Sequence, residues 1–290
     1  MLNPFEKDSR AFKDAREAAK AYFSSEEKPA HIGDIEAMAT SEGFVKSHEE
    51  FIIYMNAFAI ELTKMKMKNQ QSNLTIMTQV VLGIDDLDAI MNTVYERLSE
   101  VYDTYFPEAN RKMNLESTAD MLMEDPGREA VAKKLKISAD SMGIDVSGGE
   151  IKMIKDYASS LKSMLALRSN LADYVAGVMN EKCKNLSALC SPLLGAKLIA
   201  IAGSLEKLAM MPSSTVQLLG AEKALFRHLK TGAKPPKHGV IIQHPLVSGA
   251  ENRGRMARAL ASKIAIAAKL DFYGGQFAGD RLIKELEAKA

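Results

Sequence analysis

Along two long stretches of this chain, apolar residues recur in alternating steps of four and three. Val80, Ile84, Leu87, Met91, Val94, Leu98, Val101 and Tyr105 make the first run. On a helix such positions fall on one stripe, whereas a strand would need alternation at every second residue. Phe106-Pro107 closes the run, because proline cannot continue the hydrogen-bond ladder. Ile151, Ile154, Ala158, Leu161, Leu165, Arg168, Ala172, Val175 and Met179 make the second run, with Arg168 its only charge. The turn Ser147-Gly148-Gly149 leads into it. A shorter helix is predicted over 128–142, ending at a left-handed cap at Gly143. Two long heptad helices joined by a shorter segment predict an antiparallel coiled-coil arm or a self-association surface. Asp85, Asp86 and Asp88 fall on the outer side of the first helix and read as a solvated face.

Ahead of the heptads, residues 1–70 read as short helices. One runs from Asp8 through Phe23 and another from Ser47 through Lys68, where Phe51, Tyr54, Met55, Phe58 and Leu62 keep helical spacing. Lys66 to Asn73 reads as a helix end or a solvated break. No apolar run approaches the ~20 residues that span a bilayer, and no secretory leader is apparent, so a cytoplasmic location without a membrane partner is expected. Cys183 and Cys190, on one helical face, would stand about 10 Å apart along the axis, too far for a disulfide. They read as small buried residues in a reducing compartment.

Charge divides the chain. Residues 1–190 carry 23 bases and 30 acids, and residues 191–290 carry 15 bases and 7 acids, within a total of only +1. From Lys223 to Lys269 ten Lys or Arg face a single acid, Glu251. Segregation of this kind points to a polyanionic partner rather than to chemistry on a small substrate. In the same half, Gly195, Ala196, Ala200, Ala202, Gly203 and Ser204 favour close helix packing. Pro212 precedes Ser213-Ser214-Thr215, good helix-start residues whose free N–H groups suit an anion. On the helix that follows, Leu218, Ala221, Leu225 and Leu229 form an inward stripe, with Lys223, Arg227 and Lys230 opposite. Lys234, Lys237 and His238 lie in a loop stiffened by Pro235-Pro236, and Val240 to Pro245 is a short extended or buried segment. A last helix from about Arg253 to Leu270 turns Met256, Leu260, Ile264 and Ala267 inward, with Arg255, Arg258, Ser262 and Lys269 on its other side. Phe226, Phe272 and Tyr273 read as core residues. Recognition of backbone and shape, with little direct reading of bases, is expected.

No constellation of catalytic residues stands out. Gly195 to Ser204 superficially suggests a nucleotide loop but matches neither phosphate-binding glycine pattern. None of His31, His48, His228, His238 and His244 pairs at metal-ligand spacing, and there is no Cys-x-x-Cys, so no metal or cofactor is expected. No G-x-S-x-G elbow is present. The chain reads as non-enzymatic.

Residues 186–274 resemble the Nop-domain family. The resemblance is carried by Gly195-Ala196-Lys197-Leu198, Leu205-Glu206-Lys207-Leu208-Ala209, Met211 through Gln217 and Gly220-Ala221-Glu222-Lys223. It continues through Pro235-Pro236-Lys237-His238-Gly239, Gln243-His244-Pro245-Leu246 and Arg253 through Leu260. Phe106-Pro107-Glu108 and Asp140-Ser141-Met142-Gly143 fit the same family, whose archaeal box C/D scaffold has an acidic coiled coil; pre-mRNA-processing proteins share the Nop domain. The resemblance implies a non-catalytic assembly protein that binds the joint surface of a kink-turn RNA and a small ribosomal-protein-like kink-turn binder. It implies a homodimer through the coiled coil. Carried over by position, Glu222, Lys223 and Arg227 would lie on the joint surface, Ser213, Ser214 and Thr215 on RNA phosphate, and Lys237 near the RNA stem. Lys230, Lys234, His238, Arg255 and Arg258 join them from charge and position. Glu222, an acid in a basic field, would meet a base of the protein partner. The family scaffold holds fibrillarin through an N-terminal β-containing domain, and the short, helical-looking front here makes fibrillarin a doubtful partner. Met210 stands where the family often has lysine.

The expected architecture is all-α: an N-terminal helical region at 1–73, a coiled-coil region at 74–185 and a compact helical Nop domain at 186–290. The alternative is a coiled-coil protein-interaction scaffold that binds no RNA.

Overall fold

The computed structural model describes residues 15–24, 35–41, 45–70 and 73–288. Helices and their connections account for all of them, with no strand among the described residues, and the all-α expectation holds. The chain divides into two compact units between Ser72 and Asn73.

The first unit contains α1 (Ala15–Ser24), α2 (Ile35–Ser41) and α3 (His48–Gln70). Residues 8–14, where the first helix was expected to begin, lie outside the described residues. Helix α1 buries Ala15, Ala18 and Ala19 against α3, and Tyr22 meets Phe58 edge-on at 5.9 Å. Small alanines on one side permit that close approach, and the ring pair closes its end.

In the second unit, α4 (Asn73–Tyr105) and α8 (Gly148–Lys182) pack antiparallel along their length. Their contact is not a pure heptad seam. Met77, Val81, Ile84, Met91, Leu98 and Tyr102 are buried on α4, whereas the expected positions Val80, Leu87, Val94 and Val101 are half-buried. Other helices cover α4 as well, and a helix covered from more than one side buries a broader stripe. On α8, burial is complete at Ile154, Ala158 and Leu161 and again at Val175 and Met179. Between them the seam opens around Arg168 into a cleft of about 930 Å³. Arg168 does not simply interrupt the seam. Its guanidinium pairs with both carboxylate oxygens of Asp88 across it, at 2.5 and 3.2 Å. Asp85 pairs with Lys197 at 2.6 Å. Two of the three acids assigned to a solvated face are therefore ties between helices.

The far end of the arm is closed by α5 (Pro107–Asn110), α6 (Leu115–Glu124) and α7 (Arg128–Leu135) over a cluster built on Leu98, Tyr102, Phe106, Leu122, Ile154 and Leu161. Glu108 accepts hydrogen bonds from the Ser141 hydroxyl at 2.7 Å and the Met142 N–H at 3.1 Å, so the two family-like segments meet here. These bonds, the Ser141 one first, hold the Glu108 carboxyl below its ordinary range. The Arg128 guanidinium donates to the carbonyls of Tyr105, Gly143 and Ile144. Helix α7 ends at Lys136, in the left-handed region at φ 55°, rather than at Gly143. Gly143 serves instead as a close approach: a β-carbon there would sit 2.0 Å from the Tyr105 carbonyl oxygen.

The near end of the arm is rooted in the helical body. Met77, Val81, Ile84, Val175 and Met179 share one apolar cluster with the helices that follow. These are α9 (Lys184–Cys190), α10 (Pro192–Ala202), α11 (Leu205–Met210), α12 (Ser213–Leu218) and α13 (Glu222–Thr231), then α14 (Pro245–Ser248), α15 (Arg253–Phe272) and α16 (Gly279–Glu287). Helix breaks at Cys183, so Cys183 and Cys190 do not share a continuous helix; both are buried free thiols. Asp271 accepts from the Asn185 and Leu186 N–H groups at 3.0 and 2.8 Å, capping α9 from α15. Met256, Leu260, Ile264 and Ala267 of α15 face the core, as their spacing predicts. Among the described residues no single helix is long and apolar enough to cross a membrane.

Candidate nucleic-acid interface

The helix expected to run on from Ser213 is two helices. Leu219, Gly220 and Ala221 separate α12 from α13, and Gly220 stands at φ 82°, a left-handed conformation that favours glycine. Glu222 secures this break: its carboxylate accepts the Gly220 N–H at 2.7 Å. The acid of the basic field is thus committed, through one oxygen, to the turn. The break turns α13 away from the body. None of its residues is buried, and it packs closely on no other helix. Lys223, Arg227 and Lys230 line one exposed side. Beside them Phe226 and Leu229 are 62% and 69% exposed, so neither belongs to the core. Their exposure was not legible in the periodicity, which puts Leu229 on the inward stripe, a placement the structure corrects; the signal for it was Gly220 ahead of them.

The loop after α13 is tied at both ends. The His228 ring hydrogen-bonds the Ala233 carbonyl, where the chain leaves α13 at Gly232. At the other end the Gln217 side chain donates to the Lys237 carbonyl at 2.6 Å. The Gly239 and Val240 N–H groups donate to the carbonyls of Gln217 and Leu219, both at 2.8 Å. A β-carbon at Gly239 would lie 1.9 Å from the Leu219 oxygen, so only glycine fits. Val240 to Gln243 forms a 3-10 turn that buries Ile241, rather than an extended segment.

These ties decide which expected residues meet. Ser214, Thr215 and Glu222 line one cleft of about 240 Å³ with Leu218, Leu219 and Leu225. Ser213 is half-buried, and the Thr215 N–H already donates to the Pro212 carbonyl at 2.9 Å, so it is not free for an anion. Helix α12 packs on α15. The Lys237 side chain lies along Gly254, 3.7 Å from where a β-carbon would stand, which brings it to the start of α15 beside Arg255. Arg258 follows one turn later. Lys234 is exposed and His238 half-buried on the loop between. The loop joins the α13 cations to the α15 cations; the two helices themselves do not pack together. Among the described residues Lys223, Arg227, Lys230, Lys234, Lys237, Arg255 and Arg258 form no ion pair, in contrast to Lys197 with Asp85 and Lys263 with Glu285. Exposed cations that no acid has paired are what counterion-releasing contact with phosphates requires.

His244 is a structural member of this region. Its Nδ1 accepts the Leu246 N–H at 3.2 Å, which leaves Nε2 to donate to the Leu189 carbonyl at 3.1 Å. Burial lowers its pKa from the ordinary value.

Residues 83–290 match the family described as Nop: snoRNA binding domain, fibrillarin. An uncharacterized NOP5 family protein of Methanocaldococcus jannaschii is 38% identical over 265 residues, covering 85% of this chain and 64% of the relative. Nucleolar protein 56 of Dictyostelium discoideum is 38% identical over 219 residues, covering 68% of this chain and 41% of the relative. The chain thus spans less than two thirds of the length of these relatives. A chain in the crystal structure of a fibrillarin/Nop5p complex aligns over 97% of this chain and 91% of its own length, with a TM-score of 0.50 and 20% identity, a likeness of fold. The expectation that fibrillarin is a doubtful partner is overturned here. It rested on the helical front, and the solved neighbour that aligns along nearly the whole chain, front included, is a member of a fibrillarin complex.

Proposed function

From the premise that this chain belongs to the Nop-domain family, we propose that it is a non-catalytic assembly protein of a box C/D-type ribonucleoprotein, and that its Nop region grips a kink-turn RNA together with a ribosomal-protein-like binder. Helix α13 carries this reading. It presents two exposed sides, one cationic with Lys223, Arg227 and Lys230 and one apolar with Phe226 and Leu229, and buries neither. A polyanion alone suits the first side, and a protein surface suits the second. A composite of RNA and protein suits both, so weak binding to either component alone is the expectation. Lys234, Lys237, His238, Arg255 and Arg258 extend the phosphate contacts, the hydroxyls of Ser213, Ser214 and Thr215 join them, and Glu222 lies toward the protein side. Fibrillarin, the partner named for the solved neighbour, belongs among the proposed partners, as does a second copy of this chain through the arm.

The test is a gel-shift titration with a generic kink-turn RNA, with and without the ribosomal-protein-like binder, at two salt concentrations. A shift that needs both components, weakens steeply with salt and disappears in the Lys223→Ala/Arg227→Ala protein is expected. Equal capture of known partners by wild type and double variant, with no RNA shift at low salt, would instead favour a scaffold that binds only proteins.

A further inference from the structure

The basic surface does not stop at the start of α15. Arg255, Arg258, Ser262, Ile266, Lys269 and Tyr273 recur at steps of three and four and are all exposed, so one ridge runs the length of this helix. Eighteen residues separate its ends, about 27 Å at the helical rise. No acid stands on the ridge. Asp271, near its end, is turned to the Asn185 and Leu186 N–H groups, and the exposed carboxylates nearest in sequence, Glu251 and Asp280, lie beyond the two ends of the ridge.

At the far end the ridge changes character. Tyr273 is 68% exposed, and Phe272 meets it edge-to-face with ring centroids 4.9 Å apart. The pair is held in place. The Tyr273 N–H donates to the Lys269 carbonyl at 2.9 Å, and the chain turns off at Gly274, with the Gly275 N–H donating to the Leu270 carbonyl at 2.7 Å. A neighbouring ring at this angle steadies the Tyr273 ring, most of which stays exposed. Two adjoining aromatics on a surface cost exposed apolar area unless something covers them. Lys269, one turn before Tyr273, sets a cation beside the ring.

We propose that the Phe272–Tyr273 end of α15 is a stacking platform for single-stranded RNA that leaves the basic interface and follows the Arg255-to-Lys269 ridge. This rests on the RNA-binding reading above and adds a second site to it. Cations that follow a backbone, ending at an aromatic face, are the two parts of sequence-tolerant single-strand binding. An exposed aromatic ring also suits a protein, but the acid-free ridge with Arg255, Arg258 and Lys269 leading to it favours a polyanion.

The experiment uses the full chain, the ribosomal-protein-like binder, and kink-turn RNA that is either blunt or carries, at one end or the other, a single-stranded tail of about ten nucleotides. A tail is expected to tighten wild-type binding, and Tyr273→Ala to remove that gain, about tenfold, while leaving affinity for blunt RNA unchanged. Tyr273→Phe should retain the gain, because the ring and not the hydroxyl stacks. Equal affinity of wild type for tailed and blunt RNA would overturn the proposal, and so would an equal loss on both RNAs in Tyr273→Ala. Loss of the RNA-free association with the protein binder in that variant would overturn it in favour of a protein contact. Failure of wild type to bind any of these RNAs would overturn the RNA-binding reading and this site with it.

Discussion

His244 shows how one side chain carries a pH dependence. Both ring nitrogens are engaged only in the neutral form, with Nδ1 accepting from Leu246 and Nε2 donating to Leu189. Burial holds the folded pKa below the ordinary 6.5. Between those two values the unfolded chain binds more protons, so stability rises with pH there. The contribution of this ring is complete above about pH 6.5 and is lost as the pH falls through the folded value. His244→Gln is expected to flatten this part of the profile. Denaturant midpoints compared at pH 5 and pH 7.5 check it: wild type should lose more stability on acidification than the variant. The motif Gln243-His244-Pro245-Leu246 was visible in the sequence as a family mark. Its role was not, because Leu189 lies 55 residues away along the chain.

At the scale of elements, the interface depends on a strap. The loop from Gly232 to Gly239 places Lys237 beside α15 only because Gly239 passes against the end of α12. Gly239→Ala puts a methyl group 1.9 Å from the Leu219 oxygen, so the two backbone bonds at Gly239 and Val240 must part. The expected result is a protein that stays helical, loses roughly 1–3 kcal/mol of stability, and binds the RNA–protein composite more weakly. Circular dichroism melts and the gel-shift titration read the two effects separately. The proline pair in this loop was legible as a stiffener. The break at Gly220 was harder to read, since Leu218, Ala221, Leu225 and Leu229 keep a helical rhythm across it. Periodicity reports which residues could share a face, not whether the backbone between them stays helical.

Across the second unit, two apolar clusters divide the work. The outer one, around Leu98, Tyr102 and Leu161, closes the arm, and the inner one, around Ile199, Leu260 and Ile264, holds the helices that carry the interface. Leu161→Ala is expected to cost about 2–5 kcal/mol, because a fully buried side chain is replaced by a cavity. Folded protein of that variant should still bind the RNA–protein composite. Lys223→Ala/Arg227→Ala should do the opposite, leaving stability within about 0.5 kcal/mol and removing binding. Calorimetric melts paired with gel shifts test this separation, and loss of binding by folded Leu161→Ala protein would show the clusters to be one cooperative body. The sequence by itself determined the helical class, the two long helices of the arm, the inward residues of α15 and the concentration of cations behind residue 190, since each follows from spacing or composition along the chain. Tertiary structure alone decided that Arg168 and Asp88 form a tie across the arm, that Phe226, Leu229 and Tyr273 face solvent, and that Lys237 meets the start of α15. Such facts depend on which surfaces cover one another, and covering is set by contacts between residues far apart in sequence.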